Sequence, residues 1–210
     1  MRLLTMFCLA SAVAAPLAAG ADWTDLFNGK SLDGWESVGD GIWTVMRDGT
    51  LLGQRDQKTA QHQAWLYTRK EFGQFDLRLE WWTRLHGNSG VSIRDSSRAR
   101  YAVPPKWDPQ RTPSHIGYEI QIDNGWPNDP FPSGSVYLFD KAKTGYQLDN
   151  DWNEMEIESR NEAIRVKLNG HLVSQFAGEP GRPKTGPIGL QLHDPTTVAM
   201  FRHIRIHEIR

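Results

Sequence analysis

The stretch 155–176 reads MEIESRNEAIRVKLNGHLVSQF. Three runs in it alternate apolar and polar residues, and Asn169-Gly170 separates the last two. Alternation with period two puts successive side chains on opposite faces of a strand. Asn-Gly between two such runs is the strongest short-range signal for a hairpin. The first two runs carry Glu156 and Glu158, then Arg165 and Lys167, so antiparallel pairing sets acids opposite bases on a solvated outer face. A chain built this way forms antiparallel sheet with one dry face and one wet face.

The same pattern recurs. Residues 43–46, the turn Arg47-Asp48-Gly49 and residues 50–53 read as another hairpin. Residues 75–81 place Phe75, Leu77, Leu79 and Trp81 on one face. Segments 90–94, 135–139, 187–193 and 201–209 alternate too, as does the opening segment after residue 21. Helical periodicity is scarce. Nine Trp, nineteen Gly and twelve Pro in 210 residues fit many short strands joined by turns. The length suits one domain. Ten or so strands with this spacing predict an all-β sandwich of two antiparallel sheets whose inner apolar faces form the core. Two connections are long. Residues 95–116 carry Tyr101, Trp107 and several Arg, and residues 124–134 carry Trp126 and three Pro. Long loops on a compact β scaffold often build binding sites.

Residues 1–21 differ from the rest. Arg2, an apolar stretch and small residues ending at Ala19, Gly20 and Ala21 have the three-part layout of a secretory signal peptide, leaving a single domain over 22–210 that begins at Asp22. Export to the periplasm or the medium is the expectation. The one cysteine, Cys8, lies inside this leader, so the mature chain has no thiol for disulfides or catalysis. No later stretch has the ~20 apolar residues of a membrane span. Net charge is −1, which makes no case for nucleic acid. Phosphate loops, dinucleotide fingerprints and zinc-type clusters are missing from the sequence, so no cofactor is identified. A divalent ion such as calcium on Asn128-Asp129 or 149–151 competes with plain turn chemistry at those residues.

The residues 117–125, GYEIQIDNG, pose the functional question. Ile120 and Ile122 point one way, and Glu119, Gln121 and Asp123 the other. An ordinary wet face explains such a row as well as a site does. Glu119 and Asp123 are ~13 Å apart along a strand at 3.3 Å per residue. That is wider than the ~5–9.5 Å between the paired carboxyls of standard glycosidases. Near the C-terminus, Gln191 and His193 share a face opposite Leu190 and Leu192, and the imidazole titrates near neutrality. Arg94 shares a face with Ser92 and could orient hydroxyls or pair with Glu119. Tyr137 could face the same cleft. Trp107 and Trp126 are loop aromatics able to stack on sugars, with loop packing the competing role.

Seven segments taken in order resemble the 3-keto-disaccharide hydrolase domain family: LFNGKSLDGW (26–35), GNSGVSIR (87–94), YEIQIDN (118–124), DWNEMEI (151–157), LNGHLV (168–173), GPIGLQLH (186–193) and FRHIRI (201–206). The stretch after Glu119-Ile120-Gln121 is shorter than the family's by one residue, and the 95–116 loop is longer. The resemblance implies a concanavalin A-like β-sandwich, or jelly roll, with a concave cleft floored by the Glu119 strand. It implies an enzyme for 3-keto glycosides, working by proton abstraction at C2, elimination at C1 and hydration. Glu119, Asp123 and His193 would be catalytic; Gln121, Arg94, Gln191, Tyr137, Trp107 and Trp126 would bind substrate. Such an enzyme would act on a small saccharide after a sugar 3-dehydrogenase. Two alternatives stay open, a non-catalytic carbohydrate-binding module and a conventional glucanase.

Overall fold

The computed structural model describes residues 22–126 and 128–209, so the leader expected at 1–21 lies outside the described residues. The alternating runs become strands: β1 Thr24–Asp25, β2 Trp35–Val38, β3 Ile42–Val45, β4 Leu51–Gln54, β5 Ala64–Thr68, β6 Phe75–Thr83, β7 Asn88–Ile93, β8 Tyr118–Asp123, β9 Asn153–Arg160, β10 Ala163–Leu168, β11 His171–Phe176, β12 Gly189–Leu192 and β13 Ala199–Glu208. One helix, α1 Pro113–Ile116, interrupts them. An eight-stranded sheet runs β11-β10-β9-β6-β13-β4-β3, with β1 added beside β13, and a five-stranded sheet runs β2-β5-β12-β7-β8. The strand pairings within them are antiparallel. Among the described residues no helix is long and apolar enough to cross a membrane.

The core is the set of inward residues the alternation predicts. Phe75, Leu77, Leu79 and Trp81 of β6 meet Met155 and Ile157 of β9 beneath Val91, Ile93, Ile120, Ile122, Leu190 and Leu192 of the facing sheet; all are at most 2% exposed. Each such side chain contributes roughly 1.5–3 kcal/mol. The Asn169-Gly170 hairpin forms, with Glu158 opposite Arg165 and Glu156 opposite Lys167.

Segment 135–139, expected to be a strand, is not one. It touches the edge of β8 at an Ile120–Val136 bridge and then turns sharply. Val136 O accepts both Phe139 N and Asp140 N at 2.9 Å. The Asp140 carboxylate accepts Ser174 Oγ at 2.5 Å and Gln175 N at 2.8 Å, which draws the chain away from β8. Backbone bonds from Gly134, Gln121 and Tyr137 still cover the β8 edge, which would otherwise invite strand addition.

The 95–116 loop folds over the outer face of the five-stranded sheet. Ala99 and Ala102 pack on Trp65 and Tyr67, both 0% exposed. Asp95 fastens the loop. Its carboxylate accepts Tyr67 Oη at 2.8 Å, Ala99 N at 2.7 Å and Ser97 N at 2.9 Å.

Candidate active site

The loop and the sheet together enclose a cavity of about 200 Å³. Its floor comes from three neighbouring strands. Glu119 and Gln121 of β8 lie opposite Ser92 and Gly90 of β7. Asn88 begins β7, and Gln191 is on β12. His193, just past β12, and Gln63, just before β5, close the sides; Thr112, Ser114 and His115 of the loop form the roof. Tyr137 and Leu138 of the sharp turn stand at the edge. A larger groove of about 840 Å³ lies where Asp22 meets His207 and Glu208, but it holds none of the buried polar atoms that lack a partner.

Glu119 is 4% exposed, and burial pushes its carboxyl up to about 8; nearby Asp129 adds to the rise. Gln191 lies close enough to offset part of the shift, although neither of its amide atoms makes an aligned hydrogen bond within the protein. Glu119 is therefore mostly protonated at neutral pH and can donate a proton. Gly90 makes room for it: a Cβ there would sit 2.7 Å from Glu119 Oε1.

Asp129 arranges the floor. Its Oδ2 accepts Gln121 Nε2 at 2.5 Å and Asn88 Nδ2 at 3.4 Å, and its Oδ1 accepts Phe131 N at 2.8 Å. With both amide nitrogens turned to Asp129, the two amide oxygens are presented as acceptors. Both are buried and without a partner in the protein, as are the two amide atoms of Gln191 and Nδ1 of His193. Buried polar atoms are nearly always paired. A cluster of orphans around one cavity is what a ligand rich in hydroxyls would satisfy. Gln63 adds a donor, because its Oε1 is taken by Trp65 Nε1 at 3.1 Å.

Both imidazoles are held neutral. Burial lowers the pKa of His193, partly countered by Asp194 and Asp129, and its ring meets Trp126 edge-on at 5.7 Å. Burial, then Arg182, lowers that of His115, whose Nδ1 is 2.8 Å from Thr112 Oγ1, leaving Nε2 free. Burial raises the Tyr137 hydroxyl, with help from Asp129 and Glu119, so it stays a donor.

The structure thus gathers Glu119, Gln121, Gln191, His193 and Tyr137 around one cavity, with Trp126 behind His193. Three expected residues lie elsewhere. Arg94 has a φ of 60°, which reverses the alternation after β7. Its guanidinium crosses to the other sheet, donating to Ser159 Oγ at 2.6 Å and Glu162 O at 3.4 Å. Asp123 is outside the lining; its Oδ1 accepts Trp126 N at 2.6 Å and holds that turn, and burial raises its carboxyl to about 6. Trp107 stacks on His62 at 4.1 Å instead of lining the cavity. Sequence reasoning missed His115, Gln63 and the role of Asp129. All lie in or beside connections, where no periodicity announces direction. Among the described residues no group of three or more His, Cys, Asp or Glu is arranged to hold a metal ion.

Among solved structures, a candidate glycosyl hydrolase of Parabacteroides distasonis matches with a TM-score of 0.69 and 25% identity, over 90% of this chain and 100% of that one. The carbohydrate-binding module CBM66 of Bacillus subtilis matches at 0.55 and 16%, over 82% of this chain and 94% of that one. A β-glucanase of Bacillus licheniformis matches at 0.55 and 11%, over 92% and 100%. The last two show the fold alone, the lectin and glucanase jelly roll. No curated protein matches the chain. The model of the 3-keto-alpha-glucoside-1,2-lyase-like domain matches residues 22–207, and this carbohydrate-active, hydrolase-like protein belongs to that family.

Proposed function

We propose that the protein cleaves 3-keto glycosides by elimination and hydration. The supporting observation is the make-up of the cavity. Glu119 is the single carboxyl in its lining, and it sits among neutral donors and acceptors. A conventional glycosidase needs two carboxyls flanking one bond. Asp129, the nearest other acid, is outside the lining and occupied with the amides of Gln121 and Asn88. A ketone at C3 removes the need for a second carboxyl, because it makes the C2 hydrogen acidic.

Neutral His193 takes the C2 proton, and the electron pair delocalises onto the C3 oxygen, where the Tyr137 hydroxyl donates. As that enolate re-forms the ketone, the C1–O bond breaks and Glu119 protonates the leaving oxygen. Glu119, now a carboxylate, takes a proton from water as its oxygen adds to C1, and His193, its proton exchanged with solvent after the leaving group departs, delivers a solvent proton to C2. Gln63, Asn88, Gln121 and Gln191 hold the remaining hydroxyls. Oxidation at C3 by a sugar dehydrogenase must come first. We also place the protein outside the cytoplasm on the strength of residues 1–21; N-terminal sequencing of the secreted form should begin at Asp22.

The test is incubation of purified protein with a 3-keto disaccharide and its unoxidised parent in deuterated water. The expected result is release of a 3-keto monosaccharide carrying deuterium at C2, with the parent untouched. Release without deuterium would rule out elimination. Tight binding without release would favour a binding module.

A further inference from the structure

The cavity, at about 200 Å³, is smaller than the ~300 Å³ at which pockets for drug-sized ligands begin. The cavity has room for about one sugar ring, so on the elimination reading the group on C1 is left to project through the mouth. The mouth differs chemically from the floor. Its two exposed lining residues are Pro109 of the covering loop and Leu138 of the sharp turn.

Leu138 is unusual in two respects. Its side chain is 42% exposed, so it does not fill the core. Its φ is 73°, and it is the one large aliphatic residue with positive φ among the described residues. Glycine or asparagine adopts that conformation at little cost, whereas leucine is strained there. The turn is secured without the side chain, by Val136 O and by the Asp140 carboxylate on Ser174 and Gln175. A strained residue that the fold does not use points to function.

We propose that Leu138 determines leaving-group specificity. With Pro109 it forms an apolar platform for an aryl or alkyl aglycone in preference to a second sugar. Neither Pro109 nor Leu138 offers a side-chain hydrogen-bond partner to the hydroxyls of a second sugar. This inference rests on the elimination reading given above.

The experiment compares phenyl 3-ketoglucoside, methyl 3-ketoglucoside and a 3-keto disaccharide on the wild type, Leu138→Gly and Leu138→Asn. Comparing variants on each substrate cancels the intrinsic reactivity of the leaving group. Both variants should melt no lower than the wild type, since each relieves the left-handed strain. Their kcat/KM for the phenyl glycoside should fall about tenfold, the scale of a lost apolar pocket contact, with the other two substrates changed about twofold or less. An equal fall on all three substrates, or a melting point several degrees lower in both variants, overturns the specificity role and leaves the elimination reading standing. Failure of the wild type to turn over any of the three overturns the elimination reading and this inference with it.

Discussion

Two polar strand faces of this molecule look alike in the sequence and behave in opposite ways. On β9 and β10, Glu158 pairs with Arg165 at 3.1 Å and with Lys167 at 3.3 Å, and Glu156 pairs with Arg78 at 3.1 Å. On β8, Glu119 and Gln121 stand opposite Ser92 and Gly90, with no cation across from them. Arg94, the cation two residues past Ser92, is turned to the other sheet by its positive φ. The first face opens to water. The second is roofed by the 95–116 loop, which Asp95 fastens to Tyr67. Burial without a countercharge then raises Glu119 to about 8. What gives a polar row its meaning is therefore the loop that covers it, and not its alternation.

The comparison breaks most sharply at Glu119. Glu119→Gln should lower kcat by about 10²–10⁴ on a 3-keto glycoside, the range for loss of a general acid–base group. Glu156→Gln, on the open face, should leave kcat unchanged. In the wild type, activity should fall as pH rises through about 8, where Glu119 loses the proton it gives to the leaving group. Stability follows the same group. Its folded pKa lies above its ordinary 4.5, so the folded state holds the proton more tightly than the unfolded state. The contribution is complete below 4.5 and is lost as pH climbs through about 8. Denaturant titrations from pH 5 to 9 should show Glu119→Gln flattening this decline, on the order of a few kcal/mol.

Gly90→Ala attacks the geometry and leaves the carboxyl in place. The added Cβ meets Glu119 Oε1 at 2.7 Å and Cγ at 3.0 Å, and the flexible side chain must move. A shift near 1 Å should cost about 10²-fold in kcat, with the melting temperature little changed. A variant with full activity would show that the position of Glu119 is not what matters.

Most of the sandwich was legible because strand faces carry a period. Phe75, Leu77, Leu79 and Trp81 could be assigned to the core from their spacing alone, and so could the meeting of acids on one strand with bases on the next. The same period sets Glu119 and Gln121 on one face of their strand, and Gln191 on the face of another opposite Leu190 and Leu192. Two failures share a cause: a residue with positive φ reverses the side-chain alternation or ends the strand, and composition does not reveal it at Arg94 or Leu138. The roof was illegible for a different reason. His115 reaches the cavity through a loop held by Asp95 and by Thr112, and neither contact leaves a periodic trace.

Asp129→Asn tests the floor more gently. An amide has one accepting oxygen where the carboxylate has two, so it cannot serve Phe131 N together with Gln121 Nε2 and Asn88 Nδ2, and the arrangement that aims the two amide oxygens at the substrate is loosened. KM should rise about tenfold, the worth of roughly one hydrogen bond. Because Asp129 helps to raise Glu119, the alkaline limb of the activity profile should also move to lower pH. An unchanged KM would mean that the amides of Gln121 and Asn88 do not read the sugar.

The smallest effect belongs to the open face. Lys167 lies 3.3 Å from Glu158 and 3.6 Å from Glu156, and its side chain is 31% exposed. Removing it by Lys167→Ala should cost about 0.2–1 kcal/mol, because water already screens each charge. That loss should shrink in ~1 M salt, where the Debye length is about 3 Å. It should also leave every kinetic constant untouched, since no part of this ladder reaches the cavity. The pH dependence that comes from Glu119 should persist in the same salt, because a buried carboxyl owes its shift first to lost hydration and only secondarily to Asp129. Salt therefore separates the two faces: it weakens the one whose charges meet in water and spares the one whose carboxyl is kept from it.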